Sequence, residues 1–225
     1  MTKPVFIFGA GPQGRVILDI LRSQRSVAVG GFLDDTLDRA DHELAGLAVA
    51  HASAWLGSGP HDAMVVIAIG NNRSRMAAAK RVMDAGYLLY TAIHASATVA
   101  GQVEIGPGSV LCMQAAIGTG CRLGMNVVIN TGTTLDHDSV LEDGAYLSPG
   151  VHSAGDVRVG ANAFIGAGAI LLPGVRVGAD AIVGAGSVVL NDVPARSLFH
   201  GTPARMRRIV DASVDWPTIL GGRRR

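Results

Sequence analysis

The segment NTGTTLDHD, residues 130–138, places a histidine between two carboxylates. An acidic neighbour can hydrogen-bond one ring nitrogen of His137, fixing the tautomer that leaves the other nitrogen free to accept a proton. Imidazole, with an ordinary pKa of about 6.5, is well suited to this task near neutral pH. On residue types alone, His137 is either an exposed corner histidine without a catalytic role or a general base with a neighbouring carboxylate as its partner.

A glycine-rich loop near the start of the chain forms a second candidate site. In GAGPQG, Gly9, Gly11 and Gly14 follow the pattern G-x-G-x-x-G, and Asp34 and Asp35 come about 20 residues later. Taken alone, this pattern favours an NAD-linked oxidoreductase. Only about 90 residues precede the next region, too few for two mononucleotide-binding halves. The loop therefore predicts a site for one nucleotide.

The elements that must position this loop alternate between strands and helices. PVFIF is an apolar strand that leads into the glycine-rich turn, and RVILDILRSQ has helical periodicity. Two further apolar segments, VAVGGFLDD and DAMVVIAIGNN, are typical of strands, and a helical segment follows the second. This order predicts a Rossmann-like α/β domain over residues 1–90.

From Ile93 onward a different periodicity positions His137. Every sixth residue from 93 to 189 is Ile, Leu or Val, except Ser153, and a small or β-branched residue follows four positions after each. Because side chains alternate along a strand, this repeat predicts short strands joined by tight corners in a parallel β-helix. We assign the β-helix to residues 91–200 and a C-terminal tail to residues 201–225.

The overall composition argues against several classes of binding partner. The net charge of +1 over 225 residues argues against a nucleic-acid or membrane-surface protein. No apolar run approaches the ~18 residues of a membrane span. Cys112 and Cys121 fit neither a metal-binding spacing nor a disulfide framework. We therefore expect a cytoplasmic protein without a metal.

Several motifs resemble one family of enzymes along nearly the whole chain. They are, in order, FGAGPQGRV, GFLDD, AIGNN, NTGTTLDHD, LSPGV, AGDVRVG and GTPAR. The chain resembles the sialic-acid O-acetyltransferase-like sugar acetyltransferases, whose members include nucleotide-sugar N-acetyltransferases acting on bacillosamine or perosamine precursors. The resemblance implies a Rossmann-like domain followed by a left-handed β-helix of hexapeptide repeats. It also implies a homotrimer that uses acetyl-CoA as co-substrate.

The resemblance also implies roles for individual residues. His137 is the general base with Asp138 as its partner, which leaves Asp136 as a solvated corner charge. The backbone N–H of Gly155 stabilises the acetyl oxygen. Tyr146 stands where several relatives carry a second histidine that contacts acetyl-CoA. The other implied acetyl-CoA contacts are Gly155, Ala167 and Ala185. The residues implied to bind the sugar nucleotide are Gly11, Pro12, Gln13, Asp34, Asp35, Gly70, Asn71, Arg73 and Asn130.

The implied reaction is acetyl-CoA-dependent N-acetylation of a nucleotide-linked 4-amino-4,6-dideoxy sugar, by direct attack in a ternary complex. Its product would enter O-antigen or glycoprotein glycan assembly. A sugar O-acetyltransferase is the main alternative; a non-catalytic β-helix binding module and an NAD-linked oxidoreductase are distant ones. His152 is the one rival to His137 as the base. Arg205, Arg207 and Arg208 either contact CoA phosphates or form a solvated face.

Overall fold

The computed structural model describes residues 3–36 and 42–210. Contacts within the chain divide it into two compact units, residues 1–95 and 96–225, whereas the sequence places the boundary at residue 90. In the described part of the chain, no helix is long and apolar enough to cross a membrane.

The first unit is an α/β domain. Its elements, in chain order, are β1 (Val5–Phe8), α1 (Pro12–Ser23), β2 (Val29–Asp34), β3 (Glu43–Leu44), β4 (Leu47–His51), α2 (Ala52–Ser58), β5 (Met64–Ile67), α3 (Asn72–Asp84), β6 (Leu88–Leu89) and β7 (Ala92–Ile93). The sheet has the strand order β3-β4-β2-β1-β5-β6. Its strand pairs are parallel except for β3 with β4.

The sequence of each element explains its place in this sheet. Strand β1 is apolar throughout and mostly buried, as expected for a central parallel strand. Helix α1 packs an apolar stripe that includes Ile17 and Leu21 onto β1 and β2. The chain builds the sheet outward from β1 in both directions, first through β2 and later through β5. In such sheets, ligands bind where the direction changes, at the carboxyl ends of the strands.

The second unit is a prism of two-residue strands, in which each residue pairs with the residue 18 positions later, as Thr134 does with His152. Face 1 contains β10 (Val110–Leu111), β13 (Val128–Ile129), β16 (Tyr146–Leu147), β19 (Phe164–Ile165), β22 (Ile182–Val183) and the longer β24 (Ser197–Gly201). Face 2 contains β8 (Thr98–Val99), β11 (Ala116–Ile117), β14 (Thr134–Leu135), β17 (His152–Ser153), β20 (Ile170–Leu171) and β23 (Val188–Val189). Face 3 contains β9 (Glu104–Ile105), β12 (Arg122–Leu123), β15 (Val140–Leu141), β18 (Arg158–Val159) and β21 (Arg176–Val177).

The six-residue repeat explains both the interior and the corners of this prism. Aliphatic residues such as Leu111 and Ile129 point inward and are fully buried. Ser153 also points inward, where its hydroxyl donates to the carbonyl of Ala154 at 3.2 Å. Three positions after each sixth residue from Val99 to Val183, the backbone turns through a positive φ, which Gly, Asn and Asp tolerate best. The non-glycine residues in this conformation are Gln102, Gln114, Asn126, Asp138, Asp156, Asn162 and Asp180.

The three outer faces differ in burial. Outward-pointing residues on face 1, including Tyr146 and Phe164, are buried within the chain, whereas His152 on face 2 and Arg158 on face 3 are exposed. On face 1, the rings of Tyr146 and Phe164 form an aromatic pair with centroids 5.4 Å apart.

The first part of the predicted tail forms regular structure. Residues 204–209 form strand β25 (Ala204–Ile209), which pairs antiparallel with β24. Arg205, Arg207 and Arg208 lie on this strand and are exposed, as they would be on a solvated face. Residues 211–225 of the predicted tail, including its final arginines, lie outside the described residues.

Candidate active site

The corner between faces 2 and 3 holds His137 and its carboxylate partner. His137 Nδ1 lies 2.9 Å from Asp138 Oδ2, and the side chains are 56% and 69% exposed. Asp138 has a φ of 57°, the left-handed turn conformation of its position in the repeat. Its carboxylate lies over Gly120, where an added Cβ would be 2.5 Å from Asp138 Oδ1. The repeat therefore makes room for the carboxylate and sets it beside the ring.

Asp136 also interacts with His137, although the predicted role of Asp136 was only that of a solvated corner charge. Its Oδ1 accepts a hydrogen bond from the His137 backbone N–H at 2.8 Å. The hydrogen bond that Asp138 accepts from the ring raises the pKa of His137 above its ordinary value, and the negative charge of Asp136 raises it further. Asp156, one coil further on, contributes in the same direction. The corner therefore makes the imidazole more basic.

Gly155 lies one coil beyond His137 and directly beneath its ring. A Cβ on Gly155 would be 2.4 Å from His137 Nε2 and 2.5 Å from Cε1. Among the described residues, none accepts a hydrogen bond from the Gly155 N–H, whereas the equivalent N–H of Ala161 donates to Glu142. A bare glycine thus supports the ring and keeps an N–H donor available close to Nε2.

The rival histidine lies on a different surface. His152 is on face 2, and its Nδ1 lies 2.9 Å from the hydroxyl of Thr134. Among the described residues, no carboxylate forms an ion pair with its ring. His152 therefore lacks the carboxylate that makes His137 more basic.

The remaining predicted acetyl-CoA contacts lie toward another corner. Ala167 and Ala185 are exposed, one coil apart, at the corner between faces 1 and 2. Asn130 begins the same corner, and its Nδ2 donates to the Tyr146 hydroxyl at 2.8 Å. Tyr146 is only 7% exposed. The hydroxyl of Tyr146 and the amide of Asn130 thus form one polar pair, which the sequence did not predict.

The first unit contains a cavity of about 550 Å³ at the carboxyl ends of β1, β2 and β5. Of the predicted nucleotide-binding residues, Gly11, Pro12, Gln13, Asp34, Asp35 and Gly70 line it. Asn71 instead caps helix α3, where its side chain accepts from the N–H of Ser74 at 2.9 Å. Arg73 is not among the lining residues. The cavity lining therefore includes most of the predicted set but neither Asn71 nor Arg73, and Asn130 belongs to the second unit.

The glycines of the loop have distinct roles. Gly9 has a φ of 119°, and a Cβ there would lie 2.6 Å from the carbonyl oxygen of Ala68. A Cβ on Gly14 would lie 2.2 Å from the Gly9 carbonyl oxygen, so Gly14 allows α1 to approach the loop. Asp34 Oδ2 accepts from the N–H of Ala10 at 2.8 Å, which ties the loop to the end of β2.

Two arginines of helix α3 were missed by the sequence reasoning. Arg81 lines the cavity together with Ser74 and Ala78, at the i, i+4, i+7 spacing of one helical face, so periodicity in α3 could have found it. Arg75 is 1% exposed and donates to the carbonyls of Ile69 and Gly70, at 3.3 Å each. Arg75 thereby holds the loop that follows β5.

Family models match both units. Residues 4–82 match the PglD N-terminal domain. Residues 114–149 match the hexapeptide repeat of succinyl-transferase, and residues 156–191 match the bacterial transferase hexapeptide of six repeats. No curated protein matches the chain.

Solved structures match almost the whole chain. PerB from Caulobacter crescentus, in complex with CoA and GDP-perosamine, is 36% identical with a TM-score of 0.85, over 92% of this chain and 99% of PerB. A variant of the GDP-perosamine N-acetyltransferase from Caulobacter crescentus is 34% identical with a TM-score of 0.87, over 92% and 98%. The acetyltransferase domain of PglB from Neisseria gonorrhoeae, in complex with acetyl coenzyme A, is 30% identical with a TM-score of 0.86, over 92% and 100%. The chain belongs to this sugar N-acetyltransferase family.

Membership in the sugar N-acetyltransferase family confirms the predicted fold, a Rossmann-like domain followed by a left-handed β-helix of hexapeptide repeats. Relatives in the family bind acetyl-CoA or CoA as the co-substrate. In the described part of the chain, no three His, Cys, Asp or Glu side chains form a group that could hold a metal ion.

In a single chain, the predicted site residues of this family member fall into separate groups. His137 and Gly155 lie at the corner between faces 2 and 3, whereas Ala167 and Ala185 lie at the corner between faces 1 and 2. Tyr146 lies on face 1, the side of the prism opposite the His137 corner. The prism therefore separates the general-base group from most of the predicted acetyl-CoA group.

Proposed function

We propose that the protein transfers the acetyl group of acetyl-CoA to the amino group of a nucleotide-linked 4-amino-4,6-dideoxy sugar, with His137 as the general base. The observation that carries this is the corner where His137 contacts Asp138 through Nδ1 and lies over Gly155. The relatives bound to CoA with GDP-perosamine, and to acetyl-CoA, support the substrate class.

The proton transfer follows from the contacts of the imidazole. Asp138 accepts a hydrogen bond from the Nδ1–H of His137, which leaves the Nε2 lone pair free to accept a proton. As the sugar amine attacks the thioester carbonyl, a C–N bond forms and Nε2 takes the proton from nitrogen. Collapse of the tetrahedral intermediate breaks the C–S bond, and the imidazolium returns the proton to the departing thiolate.

The charge that develops on the acetyl oxygen needs a hydrogen-bond donor. The N–H of Gly155 is close to the ring of His137 and has no acceptor among the described residues. A backbone N–H held in a β-helix corner needs little reorganisation when the oxyanion forms. We assign this role to Gly155.

The active site is completed by a second protomer of a homotrimer. The separation of His137 from Ala167 and Ala185 on one prism supports this, because acetyl-CoA must reach both groups. A neighbouring β-helix can present its own corner between faces 1 and 2 to His137. Cyclic symmetry then repeats the same composite site at each interface.

The nucleotide of the sugar substrate binds in the cavity of the first unit. Gly11 is the N-cap of helix α1, and no acidic residue lies in the first turn of that helix. Backbone N–H groups and the helix dipole favour a diphosphate there. Asp34 and Asp35 line the same cavity.

Acetyl transfer is direct, without an acetyl-enzyme. Cys112 is fully buried, and burial raises its pKa to about 12. Cys121 faces the interior, where burial also raises its pKa. A thiol that is buried and protonated is a poor nucleophile. Two free cysteines also fit a reducing compartment such as the cytoplasm, where the product would enter O-antigen or other glycan assembly.

The test is to mix the protein with acetyl-CoA and the UDP-, GDP- or dTDP-linked amino sugar, and to measure release of free thiol. NMR of the product distinguishes an amide from an ester, and thus N- from O-acetylation. We expect an amide with at least one donor, and almost none with His137→Ala. An ester product would favour the O-acetyltransferase, and no thiol release with any sugar would refute the assignment.

A further inference from the structure

The nucleotide cavity holds an arginine in a fixed position. Arg81 Nη1 donates to Asp35 Oδ2 at 2.7 Å, and Nη2 donates to the hydroxyl of Ser53 at 3.1 Å. Its guanidinium also lies over the Phe8 ring, 5.5 Å from the ring centroid, a favourable cation–π arrangement. Contacts from three separate segments of the chain therefore hold the guanidinium of Arg81 at the cavity.

Both carboxylate oxygens of Asp35 accept hydrogen bonds in this arrangement. Oδ1 accepts from the backbone N–H of Ser53 at 3.2 Å and from its hydroxyl at 3.0 Å, while Oδ2 accepts from Arg81. Partial burial alone would raise the pKa of Asp35, but hydrogen bonds from Arg81 and Ser53 lower it, so the carboxylate stays charged. Asp35 thus acts as a positioning residue that orients Arg81.

The guanidinium of Arg81 retains donors for a ligand. Arginine has five N–H groups and no acceptor, and Asp35 and Ser53 use one N–H group each from Nη1 and Nη2. The side chain is 45% exposed and lines the cavity. A guanidinium that is held in place and can only donate hydrogen bonds favours a ligand edge that carries hydrogen-bond acceptors.

We propose that Arg81 determines nucleobase specificity by donating hydrogen bonds to a ring carbonyl of the sugar nucleotide. Uracil, thymine and guanine offer such a carbonyl, whereas adenine presents an amino donor at the corresponding edge. CoA itself contains adenine, so this contact would keep the acetyl donor out of the sugar-nucleotide cavity. The inference rests on the proposed function, because it assumes that this cavity binds the substrate nucleotide.

The experiment measures binding of free UDP, GDP, dTDP and ADP by calorimetry, without acetyl-CoA. We expect at least one oxo-base nucleotide to bind the wild-type protein more tightly than ADP, by about tenfold or more. Arg81→Met should abolish most of that preference and leave the Kd for ADP nearly unchanged. Lys80→Met is the matched control, since Lys80 is a cation on the same helix that pairs with Asp84 on the exposed surface.

A double variant tests the role of Asp35. Asp35→Asn should reduce the preference for oxo-base nucleotides in the wild-type protein, and should add nothing in the Arg81→Met background. Arg81→Met that weakens all four nucleotides equally would indicate a phosphate contact and overturn the inference. Unchanged preference in Arg81→Met would also overturn it. If the wild-type protein binds none of the four, the inference fails together with the proposed nucleotide site.

Discussion

The ring of His137 rests on Gly155, one coil further along the β-helix, where even a methyl group would lie 2.4 Å from Nε2. Gly155 does not adopt a positive φ, so its backbone accepts any residue and only the space for the imidazole requires glycine. We therefore predict that Gly155→Ala folds normally but displaces the general base. Its kcat should fall by roughly 10²-fold or more, since a general base contributes about 10²–10⁴.

Gly101 provides the matched control for this prediction. It occupies the same position of the repeat two coils before His137, with open space where a Cβ would be added and no positive φ. Gly101→Ala should therefore keep full activity. Equal activity in Gly155→Ala and Gly101→Ala would contradict the placement of His137 over Gly155.

We predict that removing the imidazole is more damaging than removing its partner. His137→Ala should lower kcat by about 10²–10⁴, while Asp138→Ala should lower it less because the ring remains. Calorimetric Kd values for the sugar nucleotide and for CoA should change little in either variant. Near-wild-type turnover by His137→Ala would exclude it as the base.

The pH dependence of activity should report the environment of His137. Only the neutral imidazole can accept a proton, so kcat/KM should rise with pH through a pKa above the ordinary value of about 6.5. Asp138→Asn should move this rise to lower pH, because it removes the largest contribution to the raised pKa. Asp136→Asn should move it in the same direction by less. Asp84→Asn, in the other unit, is the control and should leave the profile in place.

The two carboxylates at the end of β2 should behave differently. Asp34→Ala removes the acceptor of the Ala10 N–H, and should lower the free energy of unfolding by about 1–3 kcal/mol. Asp35→Ala should raise the KM for the sugar nucleotide with little loss of stability, because its contacts are partly exposed. Neither variant should change the KM for acetyl-CoA. Equal effects on both KM values would refute separate sites.

Mixed trimers test whether two protomers build each site. His137→Ala and Ala167→Trp, which places a large ring at the exposed corner between faces 1 and 2, should each be nearly inactive. Random trimers from equal co-expression should recover about one quarter of wild-type activity, since half of the protomers supply each intact group. Mixtures as inactive as the parents, or an active monomer by light scattering, would place the whole site in one chain.

Initial rates and thiol chemistry test direct transfer. Plots against both substrates should intersect, and the double variant Cys112→Ala, Cys121→Ser should stay active. Because both thiols are buried with raised pKa values, they should react slowly with a disulfide reagent until the protein unfolds. Parallel lines, or an acetyl adduct by mass spectrometry without sugar, would require a covalent intermediate.

The sequence determined the features that depend on a local rule. A hexapeptide repeat fixes which residues point inward, and a coil of 18 residues places Gly155 next to His137, so their contact follows from counting. The same rule predicts that Asp138 adopts the turn conformation beside the histidine. In the glycine-rich loop of the first unit, Gly14 also follows a local rule, because an added Cβ would meet the carbonyl oxygen of Gly9.

The tertiary structure decided the contacts between residues that no repeat relates. Asp35 and Arg81 are 46 positions apart, and they meet because β2 and α3 reach the same end of the sheet. The sequence assigned Asp35 to the ligand, but only the fold shows that its oxygens hold an arginine. Likewise, the pairing of Asn130 with Tyr146 depends on how two side chains turn outside the prism. Hydrogen bonds of this kind depend on side-chain geometry in three dimensions, which spacing along the chain does not specify.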